Sequence, residues 1–266
     1  MEITMAEAAL VADVSAGSPA PTPSILRKAF AVLDAFDQGN RRLPLAAIAR
    51  RSGLPKSTIH RVLAMLTQLG AVVREGDEYR MGLAMFRYGS CSLEVGLRDV
   101  ALPHMEALHR ALGQTLHLAV RRGTDVIYLE KLRSRSALPL PTVVGGSLPA
   151  HLTGVGKVLL AHSPEREQEA VLSDSLPGRT PRSVTNAAHL RRALREIHAQ
   201  GFARDSSEAV EGLSCIAAPL YVDERVVAAL SVAYPAELGD GNVLISPLQQ
   251  TATTISRALT HSHGRL

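Results

Sequence analysis

From Ser24 onward the chain repeats apolar residues every three to four positions. Ile25, Ala29, Phe30, Leu33 and Phe36 form one stripe, with Ser24 placed to cap a helix and Gly39-Asn40 placed to end it. Leu45, Ile48 and Ala49 form a second stripe, closed by Gly53. The third lies in GLPKSTIHRVLAMLTQLG, where Ile59, Val62, Leu63, Leu66 and Leu69 follow helical spacing between an entry at Pro55 or Ser57 and a stop at Gly70. The period then shortens. AVVRE and EYRM flank Glu75-Gly76-Asp77-Glu78, a pattern that predicts a β-hairpin. Helix, helix, glycine turn, helix, hairpin is the order of a winged helix-turn-helix.

Beyond it, residues 83–113 read as a long connecting helix interrupted near Gly89 and Gly96, with a second helix from Asp99 carrying Leu102, Met105, Leu108 and Leu112. TLHLAV and VIYLEKL predict a hairpin about the turn RRGTD, and LPLPTVVGGSLPA reads as irregular. Helices are expected from Thr153 to His162, after Ser163-Pro164, and from Asn186 to Gln200. FARDSSE predicts a short strand. LSCIAAPLYV and VVAALSVAY predict a hairpin around Asp223-Glu224-Arg225, and a last helix runs from about Pro247 to His261. The fold class is α+β, and this second half combines a mostly antiparallel sheet with surrounding helices. The expected organisation is a disordered leader over 1–23, ending in GSPAPTP; a winged helix over 24–82; a linker helix over 83–98; and a second domain over 99–266.

Charge adds a partner to this picture. The net charge of +4 is unevenly spread: residues 24–82 hold ten Lys/Arg against five Asp/Glu, whereas 83–266 hold nineteen against seventeen. The excess points to a polyanion for the first domain, although a merely solvated basic surface would look the same. The third helix sharpens the reading. Opposite its apolar stripe stand Lys56, Ser57, Thr58, His60 and Arg61. A recognition helix divides in this way, docking one face on its neighbours and offering polar N-terminal residues to base edges and phosphates. Arg74 and Arg80 on the hairpin would stand near the DNA backbone. Any three-helix bundle has such stripes; the turn AIARRSGLP, the polar cluster and the local charge together favour double-stranded DNA.

HLTGVGKVLL raises a different possibility. A phosphate-binding loop needs G-x-x-x-x-G-K-[ST], but His151 stands where the first glycine should and Val158 where the hydroxyl should. Nucleotide hydrolysis is therefore rejected. Small residues ahead of a helix still leave backbone N–H groups that suit an anion, and a small carboxylate fits better than a triphosphate. The rival reading is that the glycines only allow helix and sheet to pack closely.

Other chemistry recedes. Two cysteines, Cys91 and Cys215, fit no disulfide framework or metal knuckle, and the histidines show no paired-ligand spacing; no metal or cofactor is expected. Cys215 as a nucleophile and Asp205 as a general base are less economical than buried structural and ligand-orienting roles. No basic segment precedes the short apolar run at Ala8–Ala12, and no stretch approaches the roughly 20 apolar residues of a membrane span. A cytoplasmic protein without a membrane partner is expected.

Three stretches in order carry a family resemblance: IARRSGLPKSTIHRVLAMLTQLGAVVREGDEYRMG, LPAHLTGVGKVLLA and GFARDSSEAVEGLSCIAAPLYVDERVVAALSVAYP. Over residues 24 to about 262 the chain resembles the IclR-type transcriptional regulators. The resemblance implies a C-terminal GAF-like effector-sensing domain, assembly as a homodimer or tetramer, and control of catabolic genes, as a repressor or sometimes an activator, through a small organic acid. It places Gly154 and Val155 in an effector-anion loop and Asp205, Leu213, Cys215 and Ser231 in the pocket. Leu140 would form an apolar wall. Ala233 stands where a relative can carry a second serine, so one hydrogen-bond donor is missing. Two other classes stay open: an enzyme with a vestigial winged helix, and a DNA-binding protein whose second half only oligomerises.

Overall fold

The computed structural model describes residues 24–37, 39–134 and 140–263. The expected leader over 1–23, together with Leu138 and Pro139 of the irregular stretch, lies outside the described residues. The chain forms two compact units that divide in sequence between Val95 and Gly96.

In the first unit, helix α1 spans Ile25–Leu33, and Ser24 caps it by accepting the Arg27 N–H at 3.2 Å. The helix stops before Gly39. Asp37 Oδ1 accepts the N–H groups of Gly39 and Asn40 at 2.8 and 2.7 Å, a local turn that competes with helix for the backbone. Strand β1, Arg42–Pro44, is too short for periodicity to reveal. Helix α2, Leu45–Ser52, ends at Gly53, whose φ of 67° is left-handed. Helix α3 covers Lys56–Gln68. Strands β2, Val72–Glu75, and β3, Glu78–Met81, form the expected hairpin, and β1 joins it in the antiparallel order β1-β3-β2. Val32, Ile48, Ile59, Val62 and Leu63 are fully inaccessible and make the core on which α3 rests.

Helix α4, Leu83–Gly89, and helix α5, Leu93–Leu112, replace the single linker helix expected over 83–98. The interruption falls at Ser90–Ser92, where Ser92 Oγ accepts the Glu94 N–H at 3.3 Å. Helix α5 then continues through Gly96 and Pro103, and no new helix starts at Asp99. A helix tolerates one glycine for about 1 kcal/mol, and burial of Ala101, Met105 and Leu108 exceeds that.

The second unit is built on a six-stranded antiparallel sheet. Its strands are β4 (Thr115–Arg122), β5 (Asp125–Leu132), β6 (Ser147–Pro149), β7 (Ala203–Ser206), β8 (Leu213–Val222) and β9 (Arg225–Pro235), in the order β6-β5-β4-β9-β8-β7. Strand β6 lies inside the stretch read as irregular; three residues after Gly146, the last of them Pro149, carry no alternation to detect. Helices α6 (Gly154–Ala161), α7 (Glu165–Leu172) and α8 (Ala187–Gln200) cover one face. Helix α5 and helix α9 (Asn242–His263) cover the other. Helix α9 starts a turn before the expected Pro247, which it carries internally. Both faces are apolar, so β4, β8 and β9 read as nearly continuous hydrophobic runs. Leu116, Leu118, Ile216, Ala218, Leu230 and Val232 pack toward α5 and α9, and the residues between them face α6.

Candidate functional site

Two sites were expected, one in each unit. In the first unit, the buried stripe of α3 fixes which side faces outward. Lys56, Ser57, His60 and Arg61 are exposed and Thr58 is half-buried. Among the described residues none of the five side chains takes part in a hydrogen bond or ion pair, so the cluster stands ready for an outside partner. The wing differs. Arg74 donates to the Gly76 carbonyl at 2.9 Å yet keeps an exposed guanidinium. Arg80 Nε pairs with Glu75 Oε1 at 2.5 Å and its Nη1 donates to the Met81 carbonyl at 3.1 Å. Arg80 is therefore engaged in holding β2 to β3. Arg42, which the sequence reading passed over because β1 was not foreseen, shares Glu75 at 3.1 Å and is exposed beside it.

In the second unit, strand register collects the expected pocket residues. Asp205 pairs with Cys215, Cys215 with Ala233, and His117 with Ser231. All project to the α6 side. A cavity of about 30 Å³, room for one or two waters, lies above them. Seven of the eight expected residues line it: Leu140, Val155, Asp205, Leu213, Cys215, Ser231 and Ala233. Gly154 is the eighth, and it lies directly behind the wall. A Cβ there would come within 2.7 Å of Cys215 Sγ, and its backbone N–H is directed at that sulfur. Thr153 caps α6 by accepting the Gly156 N–H at 3.0 Å.

His117, Tyr128, Thr142, Thr153 and Val210 also line the cavity and were missed. Their signal was available in part. His117 interrupts the apolar run of β4 at a position in register with Ser231. Tyr128 faces the cavity because a bulge between Leu118 and Ala119 shifts the register of β4 against β5, and nothing local announces that bulge. His117 Nε2 and Thr142 Oγ1 are 2.9 Å apart, and Lys131 Nζ donates to the carbonyls of Leu140 and Thr142 at 3.3 and 2.5 Å. These bonds hold the 140–142 wall against the sheet.

Lys157, which follows the glycines, is buried. Its side chain is 4% exposed, and Nζ stands 2.5 Å from Oε1 of Glu208, itself buried. The other carboxylate oxygen, Oε2, has no partner among the described residues. Glu208 N–H donates to Asp205 Oδ1 at 2.8 Å, which ties this ion pair to the cavity wall.

Burial shapes the electrostatics. It pushes the Asp205 carboxyl up to about 7, partly opposed by the Lys157 charge and the Glu208 N–H bond. It pushes the Cys215 thiol far up, so a thiolate nucleophile is disfavoured. It lowers His117 to about 3, keeping the ring neutral. Because Asp205 binds its proton more tightly folded than unfolded, its contribution to stability is full below about pH 4. It is lost as pH rises toward about 7. Urea unfolding across that window is expected to show this loss in the parent and not in Asp205→Asn; equal slopes would contradict the burial of this carboxyl.

Among the described residues no three His, Cys, Asp or Glu side chains are grouped to hold a metal ion, and no helix is long and apolar enough to cross a membrane.

Comparison with known proteins joins the two sites. Residues 25–76 match the IclR helix-turn-helix domain, and residues 92–257 match the family described as bacterial transcriptional regulator IclR C-terminal. The HTH-type transcriptional regulator XynR of Escherichia coli is 32% identical, over 90% of this chain and 98% of that protein. The HTH-type transcriptional repressor AllR of Klebsiella pneumoniae is 29% identical, over 88% and 89%. The crystal structure of an IclR homolog from Microbacterium hydrocarbonoxydans, complexed with 4-hydroxybenzoate, superposes with a TM-score of 0.82 at 31% identity, covering 90% of this chain and 100% of that one. A helix-turn-helix with a free polar face, and a cavity unit of matching fold, both fall within these spans: the chain belongs to the IclR family of bacterial transcriptional regulators.

Proposed function

We propose that the chain binds an operator through α3 and the wing, and that a small organic acid entering the α6 cavity changes that binding. The convergence on one cavity of seven residues that lie in five separate stretches of the sequence, between Leu140 and Ala233, carries the effector half of this reading. The 4-hydroxybenzoate bound to the Microbacterium homolog supports an organic acid as the ligand, and the AllR relative, a transcriptional repressor, supports repression. The high thiol pKa of Cys215 favours regulation over catalysis.

The ligand's carboxylate would meet the start of α6, with Gly154 and Val155 as backbone donors and Ser231 and Asp205 as side-chain partners. Leu140 and Leu213 would cover its apolar part. A cavity of about 30 Å³ is too small for a benzoate-sized acid, so the 140–142 wall must move outward and loosen the Lys131 bonds. Strand β4 presents His117 to the cavity and Leu116 and Leu118 to α5, the helix that leads back to the first unit. Expansion of the cavity would thus press on the packing of α5, with coupling of about 1–3 kcal/mol between ligand and operator. A homodimer would place two α3 helices on the half-sites of a pseudo-palindrome. Ile25, Leu26, Phe30, Leu83 and Phe86, all exposed in the first unit, supply an apolar face for it.

Arg61→Ala is expected to weaken operator binding about 5- to 150-fold, about 1–3 kcal/mol, and to reduce its salt dependence if the contact is to phosphate. Effector-induced thermal shifts should be unchanged. Operator affinity equal to the parent's in gel-shift titrations would remove α3 from the interface. A panel of organic acids that leaves both operator binding and melting temperature unmoved would leave the second unit with oligomerisation alone.

A further inference from the structure

The cavity offers an anion little that is positive. Among its described lining residues there is no Lys or Arg, and His117 is neutral; the Lys131 ammonium on β5 is spent on the carbonyls of Leu140 and Thr142 in the wall. What it does contain is a carboxyl group. Asp205 Oδ1 is occupied by the Glu208 N–H, while Oδ2 lies 3.9 Å from Cys215 Sγ. The same sulfur abuts the backbone of Gly154. An anion seated at the start of α6 would therefore be the immediate neighbour of Asp205.

The groups around that carboxyl do not relieve the conflict. From β8 comes Cys215, held as the thiol, and from β5 comes Tyr128, whose hydroxyl burial keeps protonated. From β4 comes neutral His117. From the turn after β7 comes Glu208, another acid, and from α6 comes Lys157, whose ammonium is turned to Glu208. Two buried carboxyl groups thus share one buried ammonium, and the unpartnered Glu208 Oε2 shows that even this pair is short of donors.

We propose that the cavity takes up a small monocarboxylate together with one proton from solvent, and that Asp205 carries the proton. The step balances: the Asp205 carboxylate gains H⁺, and the new O–H donates to the incoming carboxylate, so the pair holds one negative charge instead of two. This rests on the effector reading above and specifies its ligand. An acid with one ionised group is favoured, and a phosphate dianion or a dicarboxylate with both charges at this end is excluded. The resting carboxyl, near 7, has the proton within reach at neutral pH.

The test is calorimetric titration of the full chain with a panel of monocarboxylates that includes 4-hydroxybenzoate, at about pH 6 and about pH 8, in two buffers of different ionisation heat. Proton uptake per bound acid is expected to rise from about 0.1 to about 0.9, with affinity falling about tenfold between those pH values. Asp205→Asn is expected to bind with no uptake and no pH slope. Lys131, whose ammonium burial lowers to about 8 behind the 140–142 wall, is the other group that could gain a proton in this window. Should Asp205→Asn not fold, the same titration of Lys131→Met decides: uptake that persists there supports Asp205, and uptake that is lost overturns the proposal. An acid that binds at about pH 8 without proton uptake overturns the proposal and leaves the effector reading intact, as does a slope that survives in Asp205→Asn. Absence of binding by any acid at either pH sinks both.

Discussion

Gly156→Ala is expected to be among the most destabilising single-methyl changes in this chain. The position is helical, so the cost is not one of backbone conformation. It is one of space. A Cβ at Gly156 would lie 2.1 Å from the Ala150 carbonyl oxygen and 2.4 Å from its Cα, and these are backbone atoms of the turn that leads into α6. A flexible side chain could swing away; this backbone is fixed by the Ala150 N–H bond to Thr124 at 2.9 Å and by complete burial. Overpacking of this kind costs about 3 kcal/mol or more, which for a unit of this size lowers the melting temperature by roughly 6–12 °C. Differential scanning calorimetry of the parent and the variant checks it. A loss of under about 2 °C would mean that α6 does not sit on the Ala150 turn. Gly154→Ala should be milder, because the atom in the way is the Cys215 sulfur, but it should blunt the response to any acid that raises the parent's melting temperature.

The second large effect is expected from Lys157→Met. The ammonium and the Glu208 carboxylate are both buried, and removing the cation leaves a charge with no partner. Such a break costs about 3–5 kcal/mol, whereas replacing both ends by apolar groups of similar volume is often neutral or better. Lys157→Met combined with Glu208→Leu should therefore recover most of the stability lost by either single change. Chemical denaturation of the four proteins closes a double-mutant cycle. Additive losses, with no recovery in the double variant, would show that the two side chains do not depend on each other.

These two positions also show where reading the sequence stopped. The glycines of TGVGK were legible as permitting something close, and close packing is what the structure shows: Gly156 is needed for the Ala150 approach, and Gly154 lies against Cys215 behind the cavity wall. The role of Lys157 was not legible, because its partner stands 51 residues later in a turn that no periodicity describes. Long amphipathic helices and long hairpins announced themselves; β1 and β6, three residues each, did not. The Asp37 turn ended α1 early through a side chain that the apolar stripe ignores. Pocket residues on β8 and β9 came through resemblance. His117 and Tyr128 needed the register between strands, and for Tyr128 a bulge, which only tertiary structure supplies.

The alternation along β4, β8 and β9 has a further meaning. On these strands the odd-numbered residues, His117, Cys215, Ser231 and Ala233, address the cavity, while the even-numbered ones, Leu116, Ile216, Leu230 and Val232, address the helix layer that includes α5. Cavity lining and helix packing are thus written on interleaved letters of the same three segments, which is where the proposed function puts ligand choice and its output. On the proposed effector reading, a library randomised at Ser231 and Ala233 is expected to change which acid is bound while the even letters, and the packing on α5, stay as they are.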